Sequence, residues 1–192
     1  MHKPPLTNRR AALQKLGAAS LCTSPWFGGT VLAAVFMDVE QAQKLLLPNA
    51  EAFQALGVPL DAPLLNAIAK ACDTRVPKNF NPKIWRATQA DKALGWVISD
   101  RVIGKYDLID YAAGFDAQGT TLGMEVLTYR ESHGSEIKQT AWRKQFVGKR
   151  GPDAMHFADD IRNISGATLS CQHVTEGMQR LSALASFLVS RK

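Results

Sequence analysis

Between Ile84 and Tyr129 the chain alternates apolar, β-branched and aromatic runs with short turn sequences, and no other feature constrains its fold as much. Ile84–Thr88 reads as a strand, Ala90-Asp91-Lys92 as a turn and Leu94–Ser99 as a second strand. Tyr106–Phe115 reads as a third strand, Asp116-Ala117-Gln118-Gly119 as a tight turn and Thr121–Tyr129 as a fourth strand. Connections this short cannot carry the crossover that parallel neighbours need, so the expected arrangement is an antiparallel meander.

Helical patterns flank these strands. Asp38 with Gln41 three residues on has the form of a capping box, opening a helix that Pro48 ends. Short helical patterns follow at 49–56 and 62–72, the second with Leu64, Leu65, Ile68, Ala69 and Cys72 on one side. The stretch 74–83, with its prolines and asparagines, reads as a loop. A final helix over about 170–190 aligns Val174, Met178, Leu181, Ala185 and Leu188 on one face. Trp142 and Phe146, at i and i+4, read as core. The expected fold class is therefore α+β: a small antiparallel sheet with packed helices.

The net charge of +6 is concentrated at one end. Residues 1–34 hold Lys3, Arg9, Arg10 and Lys15 and no acidic residue, leaving the remainder at about +2. A folded part so nearly neutral lacks the basic face of a nucleic-acid binder, and no nucleic-acid partner is expected. The pair Arg9-Arg10 followed by an uncharged, mildly apolar stretch from Leu16 to Met37 reads as a twin-arginine export signal over residues 1–36, with an N-terminal anchor as the alternative. Export would place Cys72 and Cys171 in an oxidising compartment, but two cysteines without motif spacing define no disulfide. The histidines show no paired spacing with a carboxylate, so no metal site is expected.

Two segments have the composition of a ligand site. Ser165-Gly166-Ala167-Thr168-Leu169-Ser170 sets a hydroxyl beside small residues just where the last helix begins. A helix start offers unpaired N–H groups and the positive end of the dipole, and small residues let a phosphate approach the backbone. The ordinary alternative is a capping loop with Thr168 or Ser170 as N-cap. Glu131-Ser132-His133-Gly134-Ser135-Glu136 is a polar loop directly after the fourth strand, and Trp142, Phe146, Gly148 and Lys149 follow it.

The order of these pieces, Glu131-Ser132-x-Gly134, Trp142-x-x-x-Phe146-x-Gly148-Lys149 and Ser165-Gly166-Ala167-Thr168, resembles the FMN-binding domain. That is the domain of the C subunit of sodium-pumping NADH:quinone reductase and the G subunit of the Rnf complex. The resemblance extends from about Val39 to the end of the chain, so residues 37–192 are expected to form the domain. It implies that Thr168 is esterified to the phosphate of FMN by a separate flavin transferase using FAD and magnesium. Ser165, Gly166, Ala167, Leu169 and Ser170 would frame that ester. It further implies that Glu131, Ser132 and Gly134 lie near the flavin and that Lys149 lies near the phosphate or ring. Three features depart from the family pattern. Arg162 stands where an aspartate is usual, with Asp159 and Asp160 nearby; His133 and Ser135 replace a proline and a leucine; and the twin-arginine leader stands in place of a membrane helix.

The resulting expectation is an exported flavoprotein, in the periplasm or on the outer face of the cytoplasmic membrane. It would carry electrons between membrane or periplasmic redox proteins through covalent FMN. No nucleophile elbow or glycine-rich nucleotide fingerprint marks a catalytic centre of the protein's own, and no catalytic residue is assigned. The alternatives are a non-redox binding or sensory module that has lost flavin attachment, and a small flavin-dependent reductase.

Overall fold

A computed structural model of the chain describes His2, residues 34–130 and residues 134–191. The leader, Arg9-Arg10 included, and Glu131, Ser132 and His133 lie outside the described residues. Asp38 caps the first helix, α1 (Val39–Leu46): its carboxylate accepts from the Gln41 N–H at 2.7 Å while the Gln41 side chain accepts from the Asp38 N–H at 3.1 Å. The helix stops two residues before Pro48.

The next segment corrects the sequence reading. Residues 49–56, expected to be helical, contain the strand β2 (Ala52–Leu56), which follows β1 (Ala34–Val35) in chain order. The five residues Ala-Phe-Gln-Ala-Leu favour neither state strongly. What decides is the exposed ladder of the meander's first strand, whose N–H and C=O groups find partners along Ala52–Leu56. The second helix, α2 (Ala62–Ala71), is capped by Asp61 and agrees with the pattern at 62–72.

The meander follows as expected, in β3 (Lys83–Gln89), β4 (Lys92–Ile103), β5 (Leu108–Asp116) and β6 (Thr121–Tyr129). Ala90 and Asp91 turn the chain between β3 and β4 with φ of +45° and +63°, the left-handed pair that matches strand twist in a two-residue hairpin. Asp116 closes the β5–β6 turn by accepting from the N–H groups of Gln118 and Thr120. All pairings are antiparallel, in the order β1-β6-β5-β4-β3-β2.

Alternation along the strands sends side chains to both faces of the sheet. Leu46, Ala42 and Leu47 of the α1 region cover Ala87, Val97, Ala112 and Leu127 on one face. On the other, Trp96, Ile98, Tyr111, Phe115, Met124 and Val126 meet α4 (Thr168–Ser190), whose Val174, Met178, Leu181, Ala185 and Leu188 are all buried. The described residues from Ala34 to Arg191 form one compact α+β unit. Among the described residues no helix is long and apolar enough to cross a membrane.

The sheet and α4 approach closely at Gly177, where a Cβ would stand 2.2 Å from the Tyr111 hydroxyl oxygen and 3.0 Å from Val102. That hydroxyl is fully buried and donates to Asp100 at 3.3 Å, with the buried Arg180 guanidinium of α4 close enough to act on both. Burial raises the Asp100 carboxyl above its ordinary value, and Arg180 and the Tyr111 hydroxyl pull the other way. Gly177→Ala is expected to cost about 1–3 kcal/mol through forced displacement of Tyr111. This outweighs the roughly 0.5–1 kcal/mol that alanine gains over glycine inside a helix. Urea unfolding of the two proteins checks the sign.

Candidate functional site

The site begins with a clasp on the backbone that enters it. After β6 the chain forms a 3-10 turn at Ser135–Lys138, the short helix α3 (Thr140–Arg143) and a second 3-10 turn at Lys144–Phe146. Trp142 and Phe146 are both buried, packed edge to face with ring centroids 5.2 Å apart, as expected of core residues. The indole N–H of Trp142 donates to the Arg162 carbonyl at 2.8 Å, and the Arg162 N–H donates to the Gln145 side-chain oxygen at 2.8 Å. The Trp142 piece therefore fixes the chain six residues ahead of Thr168.

From that clasp the backbone turns at Ser165-Gly166, where Gly166 has φ +86°, and enters α4 at Thr168. Ala167 occupies the N-cap position and no side chain caps the helix, so neither Thr168 nor Ser170 is the N-cap. Thr168 is exposed, and its hydroxyl oxygen accepts a hydrogen bond from the Asn163 amide at 3.0 Å. The first N–H groups of α4 thus lie beside an accessible hydroxyl held in one orientation. Ala167 and Ser170 face inward, 3% and 4% exposed, and the Ser170 hydroxyl shares a 3.3 Å hydrogen bond with the Tyr129 hydroxyl.

Tyr129 ends β6, and the second motif starts just beyond it. Gly134, buried at φ +83°, lies where a Cβ would stand 2.7 Å from the Tyr129 hydroxyl, 3.2 Å from the Ser170 hydroxyl and 3.4 Å from the Ala167 Cα. A side chain would have no room, and the backbone there favours glycine. Gly134 and the segment Ser165–Ser170 consequently meet.

Gly166, Ala167, Thr168, Leu169 and Ser170 line a hollow of about 430 Å³ together with Lys105 and Tyr106. Ser165 is exposed at the preceding turn. Lys149 is placed elsewhere. Its carbonyl accepts from the Thr121 N–H at 2.8 Å, at the opposite end of β6 from Tyr129. That is about 25 Å along the strand at the usual rise per residue. Its charge acts on Asp160, whose carboxyl is held below its ordinary value chiefly by the hydrogen bonds from His156. Asp160, the nearby acidic alternative to Arg162, is therefore engaged by the His156 ring at 2.9 Å.

Asn163, Tyr129 and the Lys105–Tyr106 hairpin are missing from the sequence-derived site. The signal for Asn163 was faint: an amide one turn before the threonine. Lys105 and Tyr106 are distant in sequence and are brought to the site only by sheet register and by α4.

With this geometry established, residues 104–183 match the family model of the FMN-binding domain. The match runs from the β4–β5 hairpin to Ala183 in α4, spanning every piece that meets around Gly134 and Thr168. Residues 104–183 are thus similar to the FMN-binding domain, the family that the motifs resemble. No curated protein matches the chain.

The residues present fit such a cofactor: an exposed hydroxyl, uncapped helix N–H groups for a phosphate, and an adjoining hollow with an aromatic and a cationic side chain. Cys171, one turn into α4, is a free buried thiol, and Cys72 is a free, half-buried one. Burial pushes the Cys72 thiol up to about 11, with the nearby Arg180 charge offsetting only part of that rise. The unfolded thiol ionises from about pH 8.5, so the native protein stays protonated where the unfolded chain does not, and this group's contribution to stability falls as pH rises through 9 towards 11. At pH 8.5 maleimide is expected to label native Cys72 at least about tenfold more slowly than the same residue in denaturant. Equal rates would contradict this burial.

Proposed function

We propose that the protein is an exported flavoprotein that carries electrons through FMN joined to Thr168 by a phosphoester. The observation that supports this most is the state of the Thr168 hydroxyl. It is exposed, it opens the first turn of α4, and the Asn163 amide holds it at 3.0 Å beside a hollow. Attachment would form a bond between Thr168 Oγ and the FMN phosphorus of FAD, break the pyrophosphate link and release AMP, to which the hydroxyl proton passes. When bound, FMN supplies one- and two-electron redox chemistry. The protein's share is to orient the hydroxyl, to place helix N–H groups beside the phosphate charge, and to keep the ring over the hollow.

Carriage of electrons is preferred to catalysis because, among the described residues, those lining the hollow form no cluster of acid, base and nucleophile. Its partners would be a flavin transferase for maturation and redox proteins of the periplasm or membrane surface. The leader with Arg9-Arg10 supports export to the periplasm or the outer face of the cytoplasmic membrane. A second reading, a binding module without attached flavin, draws on Arg162 at the position where the family usually has an aspartate.

Production of the chain with an active flavin transferase, denaturation and electrophoresis under ultraviolet light test the first reading. The wild-type band is expected to fluoresce, Thr168→Ala to be dark, and Thr168→Ser, which keeps an oxygen, to retain signal. A dark wild-type band would support the binding module. Asn163→Ala is expected to slow the appearance of fluorescence severalfold while changing stability by no more than about 0.5 kcal/mol, the usual range for an exposed substitution. An unchanged time course would remove Asn163 from the site.

A further inference from the structure

We propose that the tip of the β4–β5 hairpin is the second wall of the flavin site, with the Tyr106 ring lying against the isoalloxazine. The inference rests on the FMN reading and adds the residue that faces the ring. Lys105 and Tyr106 line the same hollow as Gly166–Ser170, although they belong to the sheet and not to the motif.

Their position is fixed from both sides. The hairpin closes through the Gly104 N–H donating to the Asp107 carbonyl at 2.7 Å. His173, in the second turn of α4, donates from Nδ1 to the Ile103 carbonyl at 2.7 Å and reaches the Gly104 carbonyl at 3.1 Å. The helix that presents Thr168 therefore also holds the hairpin that faces it.

The chemistry of this wall suits a planar aromatic ligand tethered by a phosphate. Tyr106 is 74% exposed, and Leu169, which lines the same hollow, is 41% exposed. Apolar surface gathered at the rim of a hollow gains free energy when a ligand covers it, and a flat ring prefers an offset face or an edge of another ring. Lys105 brings its ammonium to 4.8 Å from the Tyr106 ring centroid, adding positive charge to the hollow that the helix start also lines. A phosphate tethered at Thr168 would draw on both sources of positive potential, and the ring it carries would have Tyr106 as its aromatic neighbour.

Contact with tyrosine has an optical signature. The phenol gives one electron to the photoexcited isoalloxazine and recovers it, so emission is lost without net chemistry. The test compares wild type and Tyr106→Leu, both loaded by a flavin transferase, with native emission divided by flavin content measured after denaturation. Tyr106→Leu is expected to be severalfold brighter per flavin in the native state and equal once denatured. Equal native brightness overturns the wall. A denatured wild-type band without fluorescence would instead refute attachment at Thr168. The comparison then uses added free FMN, where stronger quenching by wild type than by Tyr106→Leu supports the wall. Identical emission, including emission unaltered by either protein, overturns it.

Discussion

The site depends on one close approach, where the backbone of Gly134 lies against Ala167, the Ser170 hydroxyl and the Tyr129 hydroxyl. No side chain fits between them, so the end of β6 and the start of α4 are held in contact. Everything else follows from that contact. Gly134 is brought to the phosphate-compatible end of the helix, and Ala167 and Ser170, which flank Thr168, have a wall to pack against. The clasp of Trp142 and Gln145 on Arg162 sets where the chain arrives. The bond from Asn163 sets how the threonine hydroxyl is presented.

Below this surface the fold supplies rigidity. The α4 helix is packed over the sheet so closely that Gly177 leaves space only for the Tyr111 hydroxyl, and a buried set of Asp100, Tyr111 and Arg180 lies beneath the same helix. Charges in such a place are costly to desolvate, and their mutual attraction offsets part of that cost. The helix that presents Thr168 is therefore anchored along its length by apolar packing and a polar cluster. His173 extends that anchoring to the hairpin at the hollow.

Much of this was legible in the residues. Thr121–Tyr129 is a strand over its expected bounds because its alternation and its turn residues agree, and Asp38 with Gln41 caps α1 because a capping box is a local device. Ala52–Leu56 was not legible: its short sequence is indifferent, and pairing with the edge of β3 decided its state. The site divides along the same line. Contiguous pieces, Gly166–Ser170 and the Trp142 segment, carry their own pattern. Tyr129, Asn163, Lys105 and Tyr106 enter through register and hydrogen bonding between distant elements. Lys149 shows the converse, since its place in a motif suggested the phosphate while its backbone is tied to the far end of β6.

The central claim is a bond to a single oxygen, and peptide mapping tests it most directly. Trypsin cuts after Arg162 and Arg180, releasing the peptide Asn163–Arg180, in which Thr168 is exposed and Thr175 is fully buried. In protein made with an active flavin transferase, that peptide is expected to be heavier by one FMN less one water, with fragmentation placing the addition on Thr168. Recovery of the peptide only at its amino-acid mass, alongside a control protein that the same transferase modifies, would contradict the account.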